Sequence, residues 1–262
     1  MRGVTTIAAT AVLVALAGCA HKPVINTAVV PTQKPKYDPH DAAAYNMQLG
    51  LAYMERGELA IAKDKLERAA REAPKDPNVH AALALLNERL GNTPKADEEF
   101  RIALTRAPHN PDIRNNYAVY LCRTKRTDQG VRELLDVAHD PLYNTPEVAY
   151  TNAGVCLRSE HRNDEAQRSF LAAISLRPGF AEAVFQLASL ELERNQLAAA
   201  RGRIDGYFGT FTATPDLLLL GVRVARAQGD RLAEQRYMQR LRVDFPDSDQ
   251  TRALAARPPN SF

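Results

Sequence analysis

Apolar positions return at helical spacing along most of this chain, and they come in paired stretches. In the first pair the recurring residues are Leu49 and Tyr53, then Ala62, Leu66 and Ala69. The spacing predicts two amphipathic helices, about Ala42 to Arg56 and Leu59 to Ala73. Arg56-Gly57-Glu58 is the turn between them, and Pro74 closes the second helix. Two columns of small residues set the register for the rest of the chain. One runs Gly50, Ala84, Ala118, Gly154, Ala188, Gly221; the other runs Ala62, Ala96, Gly130, Ala166, Ala200, Ala233. Both columns advance by 34, 34, 36, 34 and 33 residues, and such agreement marks an internal repeat. Small residues belong where the two helices of one hairpin approach closely, since a larger side chain would force them apart.

A 34-residue helical hairpin with this pattern resembles the tetratricopeptide repeat. The residues that carry the resemblance are Leu49, Gly50, Tyr53, Ala62, Leu66, Ala69 and Pro74 in the first unit. In the second they are Leu83, Ala84, Ala96, Phe100, Ala103 and Pro108. Six units begin near 43, 77, 111, 147, 181 and 214. Some positions depart from the pattern: Gly130 stands at a usual Ala, Leu142 and Thr212 at a usual Pro, and Pro246 falls one residue late. The resemblance implies an all-α fold, a solenoid of about six helical hairpins wound into a right-handed superhelix. In such arrays the first helix of each hairpin lines the concave face. The lining would then include Met47, Leu51, Met54, Leu85, Asn115, Val119, Thr151, Val155, Arg158, Phe185, Ser189, Leu192, Leu218 and Val222. Each of these is either a lining residue or part of the core between repeats. A largely apolar groove with a few polar anchors suits an amphipathic helix or an extended peptide, and Met47 and Met54 give one end adaptability.

The ends of the chain read differently. Residues 1–18 have a positive end at Arg2 and a short apolar run from Ile7 to Leu16, the pattern of a secretory signal. The run is too short for an ordinary membrane span. Leu16-Ala17-Gly18-Cys19 resembles the lipobox of bacterial lipoproteins, which implies cleavage before Cys19 and its lipidation; the alternative is an ordinary signal peptide with an incidental cysteine. Three acyl chains would anchor firmly, where one gives only marginal binding. Ala20, in place of the Asp that retains lipoproteins at the inner membrane in Gram-negative sorting, favours the outer membrane. Residues 19–42 carry Pro23, Pro31, Pro35 and Pro39 and read as a tether, with a reach of at most roughly 70 Å. The repeats occupy 43–247, and 248–262 forms a cap and tail.

Composition narrows the function by exclusion. A net charge of +3, with no basic run carrying interleaved aromatics, gives no argument for nucleic acid. None of the six histidines forms a ligand pair such as H-E-x-x-H, and there is no P-loop and no G-x-S-x-G. The expectation is therefore a binding protein rather than an enzyme, with no metal, cofactor or small-molecule substrate. Cys122 and Cys156 fall on the first helices of adjacent repeats, which pack side by side. They are either a disulfide in an oxidising compartment or two buried thiols behaving as small apolar residues.

A narrower resemblance rests on the middle of the chain. Asn115-Asn116-Tyr117 through Leu121-Cys122, Pro141-Leu142-Tyr143 through Pro146, and Asn152-Ala153-Gly154 through Cys156, together with the lipobox and tether, resemble the type IV pilus biogenesis and stability lipoproteins (the PilF/PilW family). That resemblance implies a pilotin-like role: binding secretin subunits in the periplasm, travelling with them to the outer membrane, and promoting multimer assembly, or stabilising assembled pili. The rival reading is another repeat lipoprotein of the envelope, an adaptor for β-barrel assembly or for peptidoglycan hydrolases.

Overall fold

The structure is a computed structural model, and it describes residues 39–255. The expected signal segment, Cys19 and most of the expected tether lie outside the described residues, as does the end of the expected tail. Thirteen α-helices and no strands are present among the described residues. They pair as hairpins: α1 (Pro39–Glu55) with α2 (Leu59–Glu72), α3 (Pro77–Arg89) with α4 (Thr93–Arg106), and α5 (Pro111–Arg123) with α6 (Thr127–Ala138). Next come α7 (Pro146–Ser159) with α8 (Asn163–Leu176), α9 (Ala181–Glu193) with α10 (Leu197–Thr210), and α11 (Pro215–Ala227) with α12 (Arg231–Asp244). The short α13 (Asp249–Ala255) packs on α11 and α12. The array is an all-α solenoid. Each first helix packs against the first helix of the next hairpin, and second helices such as α2, α6 and α8 also pack against the first helix that comes after them.

Local sequence explains where helices start and turn. Proline opens α3, α5, α7 and α11, where a missing N–H costs nothing. Asp76, Asn92, Asn110, Thr214 and Asp230 accept backbone N–H bonds as N-caps. Inside each hairpin the turn needs one residue in the left-handed region. Glycine supplies it at Gly57, Gly91 and Gly229, with φ of 77°, 73° and 73°. The middle hairpins place Lys125, His161 and Asn195 there instead, at 66°, 58° and 57°.

The two small-residue columns meet large partners across each hairpin. A Cβ at Gly50 would fall 2.6 Å from Leu66 Cγ, and one at Gly154 would collide with the Phe170 ring. Gly130, the departure from alanine, lies against the cysteine on the facing helix. A Cβ there would fall 2.6 Å from Cys122 Sγ and 2.7 Å from the Ala118 carbonyl oxygen. The loop between α6 and α7 is ordered by more than its two prolines. Tyr143 is buried beside Val137 and Ala149, and the Asp140 carboxylate accepts the Leu142 N–H at 2.9 Å.

Candidate partner-binding face

The first helices, odd-numbered α1 to α11, carry the residues expected to line a groove. The structure divides them into two groups. Met47, Leu51, Leu85, Val119, Arg158, Phe185, Ser189 and Leu192 are half-buried, and Val155 is 42 % exposed. Met54, Asn115, Thr151, Leu218 and Val222 are buried, so they are core rather than lining. The reason is the contact of each first helix with the next. Leu218 and Val222 join Val184, Ala188 and Leu220 in the cluster of the last two hairpins, and Met54 packs with Leu83 and Leu86.

Two of the expected polar anchors are also turned to internal work. Thr151 Oγ1 donates to the Glu147 carbonyl at 2.7 Å, and Asn115 Oδ1 accepts from Asn152 Nδ2 at 3.1 Å. Arg158 alone among them keeps a half-exposed charge, and it spans two repeats: its guanidinium donates to Gln186 Oε1 at 2.8 Å and pairs with Glu193. The accessible part of this face is an apolar set drawn from every hairpin but the last. Such a face can hold a protein segment by burial of apolar surface.

Cys122 and Cys156 are joined as a disulfide between α5 and α7, with Cα atoms 5.7 Å apart. The bridge sits in the core cluster with Ala118, Val131, Ala153 and Phe170. His80, half-buried on α3, directs Nδ1 to Glu99 Oε2 at 2.7 Å and Nε2 to the Pro74 carbonyl at 3.0 Å, linking three elements. Among the described residues, no cluster of three His, Cys, Asp or Glu side chains has the arrangement of a metal site.

Opposite charges also recur at the repeat period, a signal that the hydrophobic pattern does not contain. Glu88 pairs with Arg123, Lys125 with Glu160, and Arg158 with Glu193, each separated by 35 residues. Asp128 pairs with Arg162 at a separation of 34. Each bond joins one repeat to the next. Among the described residues two carboxylates are buried outright. Glu147 is 5 % exposed and meets Arg177, and Glu191 is 3 % exposed and holds a two-pronged contact with Arg203.

The tetratricopeptide repeat model matches residues 47–111, 81–141 and 157–205, together more than half of the chain. The type IV pilus assembly protein PilF of Pseudomonas aeruginosa is 29 % identical over 202 residues, covering 77 % of this chain and 80 % of that protein. The crystal structure of PilW, described as a widely conserved type IV pilus biogenesis factor, superposes with a TM-score of 0.62 at 28 % identity, covering 82 % of this chain and 98 % of that one. The structure of Pseudomonas aeruginosa PilF gives 0.60 at 27 % identity, covering 84 % and 99 %. The period, the paired helices and these similarities agree: the chain belongs to the tetratricopeptide repeat family and is a homologue of the type IV pilus proteins PilF and PilW.

Proposed function

We propose that the chain is an outer-membrane lipoprotein that binds subunits of the type IV pilus secretin and promotes their targeting and assembly into the multimer, in support of pilus biogenesis and stability. The observation that carries this reading is the homology to PilF and PilW across four fifths of the chain. In this reading Cys19 carries the lipid anchor, the repeats stand in the periplasm, and the accessible apolar residues of the first helices select the partner. The chemistry is binding throughout: no step needs a nucleophile, a metal or a cofactor. Val155 is the residue to perturb, because it is the most exposed of the apolar set and a polar replacement there leaves the core intact. Purified secretin subunits should be retained by the immobilised chain, and Val155→Asp should weaken retention about tenfold, the effect of a moderate hot spot. Failure of the unaltered chain to retain secretin contradicts the proposal.

A further inference from the structure

The outer face of α12 exposes its aliphatic side chains more fully than any other second helix. Ala233, Tyr237 and Leu241 point into the core, and Leu232, Gln235, Arg236, Gln239, Arg242 and Val243 point out. Leu232 and Val243 are 80 % and 70 % exposed, two of the three most exposed large hydrophobic residues among those described. They lie eleven positions apart, three helical turns, with Arg236 and Gln239 between them on the same line. The core has no use for either side chain.

Charge on this helix is one-sided. Every carboxylate on α12 or at its cap has an arginine partner: Asp230 with Arg201 at 3.4 Å, Glu234 with Arg226 at 2.5 Å, and Asp244 with Arg240 at 3.2 Å. Arg231, Arg236 and Arg242 are exposed and have no carboxylate partner among the described residues; Arg236 contacts only the Tyr237 ring, at 5.7 Å. The nearest comparison is α8, which exposes Leu171 and Leu176 at 41 % and 55 % but a single unpaired arginine, Arg168, against three on α12. Glu98 accompanies Lys95, Arg101 and Arg106 on α4, which exposes no large aliphatic side chain, Asp136 accompanies Arg132 on α6, and α10 shows mainly Ala and Gly. A face with unpaired arginines flanking exposed aliphatic side chains has the composition of an interfacial helix, which sets cations among anionic headgroups and aliphatic groups at the acyl boundary. No helix among the described residues is long and apolar enough to cross a bilayer, so contact of this kind is made at the surface.

We propose that the outer face of α12 docks on an anionic phospholipid surface, with Arg231, Arg236 and Arg242 pairing with headgroup phosphates and Leu232 and Val243 entering the interface. This contact involves α12 alone and does not depend on the secretin reading. It is a second membrane contact, separate from any lipid on Cys19.

The test uses the repeat unit, residues 38–262, which contains the whole described core; the structurally characterised relatives are matched over nearly their full length by about this share of the chain. Flotation is measured with phosphatidylglycerol–phosphatidylethanolamine vesicles and with phosphatidylcholine vesicles. Binding should occur on the first and weaken by an order of magnitude or more on the second, and it should fall as salt rises. The variant Arg231→Gln, Arg236→Gln, Arg242→Gln should bind about a hundredfold more weakly, from about fivefold per arginine. Its melting curve should match the parent, since the three side chains are exposed. A charge-matched control, Arg89→Gln, Arg106→Gln, Arg132→Gln, removes exposed arginines elsewhere and should bind like the parent. Equal binding to both vesicle types overturns the proposal, as does equal loss in the two triple variants. A face built for an acidic protein would show no vesicle binding at all, and that result overturns it too.

Discussion

Reduction of the Cys122–Cys156 bridge should cost the middle of the array most of its excess stability. The bond joins residues 34 apart in sequence. Closing a loop of that size removes conformational freedom from the unfolded chain worth about 3.8 kcal/mol in the chain-entropy description. The native state should change little on reduction. The two thiols would remain in a core that holds cysteine as a small apolar residue, against Gly130 and Phe170. The loss therefore arises in the unfolded state, and about 3–4 kcal/mol is expected. With a urea dependence of about 2 kcal/mol per molar, the midpoint should move down by roughly 1.5–2 M. The assay is urea unfolding with and without reductant, with thiol alkylation read by mass spectrometry. Repeat arrays need not unfold all at once, so hydrogen exchange should place the loss in α5 to α8 and leave α1 and α2 nearly unchanged. An unmoved midpoint on complete reduction would refute the reasoning, and so would alkylation of both cysteines in the native, unreduced protein.

Packing and charge have further consequences. Gly202, Gly206 and Gly209 lie within α10 with open space where a Cβ would stand; each Gly→Ala should stabilise by about 0.5–1 kcal/mol in urea unfolding, and a lower midpoint would contradict this. Gly154→Ala drives a Cβ into the Phe170 ring and should destabilise by about 1–3 kcal/mol in the same assay. Arg203→Ala leaves the buried Glu191 carboxylate without its partner and should cost about 3 kcal/mol, the low end because Arg203 is partly exposed; replacing both residues with apolar ones of similar volume should recover most of it. Burial, with the Asp97 carboxylate nearby, pushes the Tyr120 phenol from 10.0 up to about 12. The folded state therefore holds this proton after the unfolded chain has released it, so its contribution is complete below pH 10 and lost as pH rises toward 12. Urea midpoints measured across that window should fall less in Tyr120→Phe than in the parent, and ultraviolet titration should count one fewer late-ionising tyrosine there, since burial also raises Tyr143, Tyr207 and Tyr237.

The repeat was legible because each hairpin buries its own small-residue contact, and that contact returns at a fixed period. Gly50, Gly154 and Gly221 in one column each face a large side chain: Leu66, Phe170 and Tyr237. The turns were half legible. Gly57, Gly91 and Gly229 announce a left-handed residue, but Lys125, His161 and Asn195 hold the same conformation without advertising it. The groove was read less well for a geometric reason. Its positions were assigned by register within one hairpin, whereas burial on a first helix is decided by the neighbouring hairpin. Met54 and Asn115 turn inward for that reason, and Leu218 and Val222 pack on the preceding repeat. The ion pairs across repeats were visible in principle as opposite charges about 35 residues apart, Glu88 with Arg123 and Lys125 with Glu160. A search by hydrophobic period alone passes over them. The buried Glu147 and Glu191 carry no sequence mark at all, because their partners Arg177 and Arg203 stand at unrelated spacings.

The amount of secretin multimer in outer-membrane fractions tests the central claim most directly. Three strains are compared: one with the intact chain, one with its gene deleted, and one carrying Cys19→Ala. A protein that targets and assembles secretin predicts loss of multimer in the deletion, and multimer that forms away from the outer membrane when Cys19 is replaced. Multimer unchanged in amount and location in both strains would contradict that role.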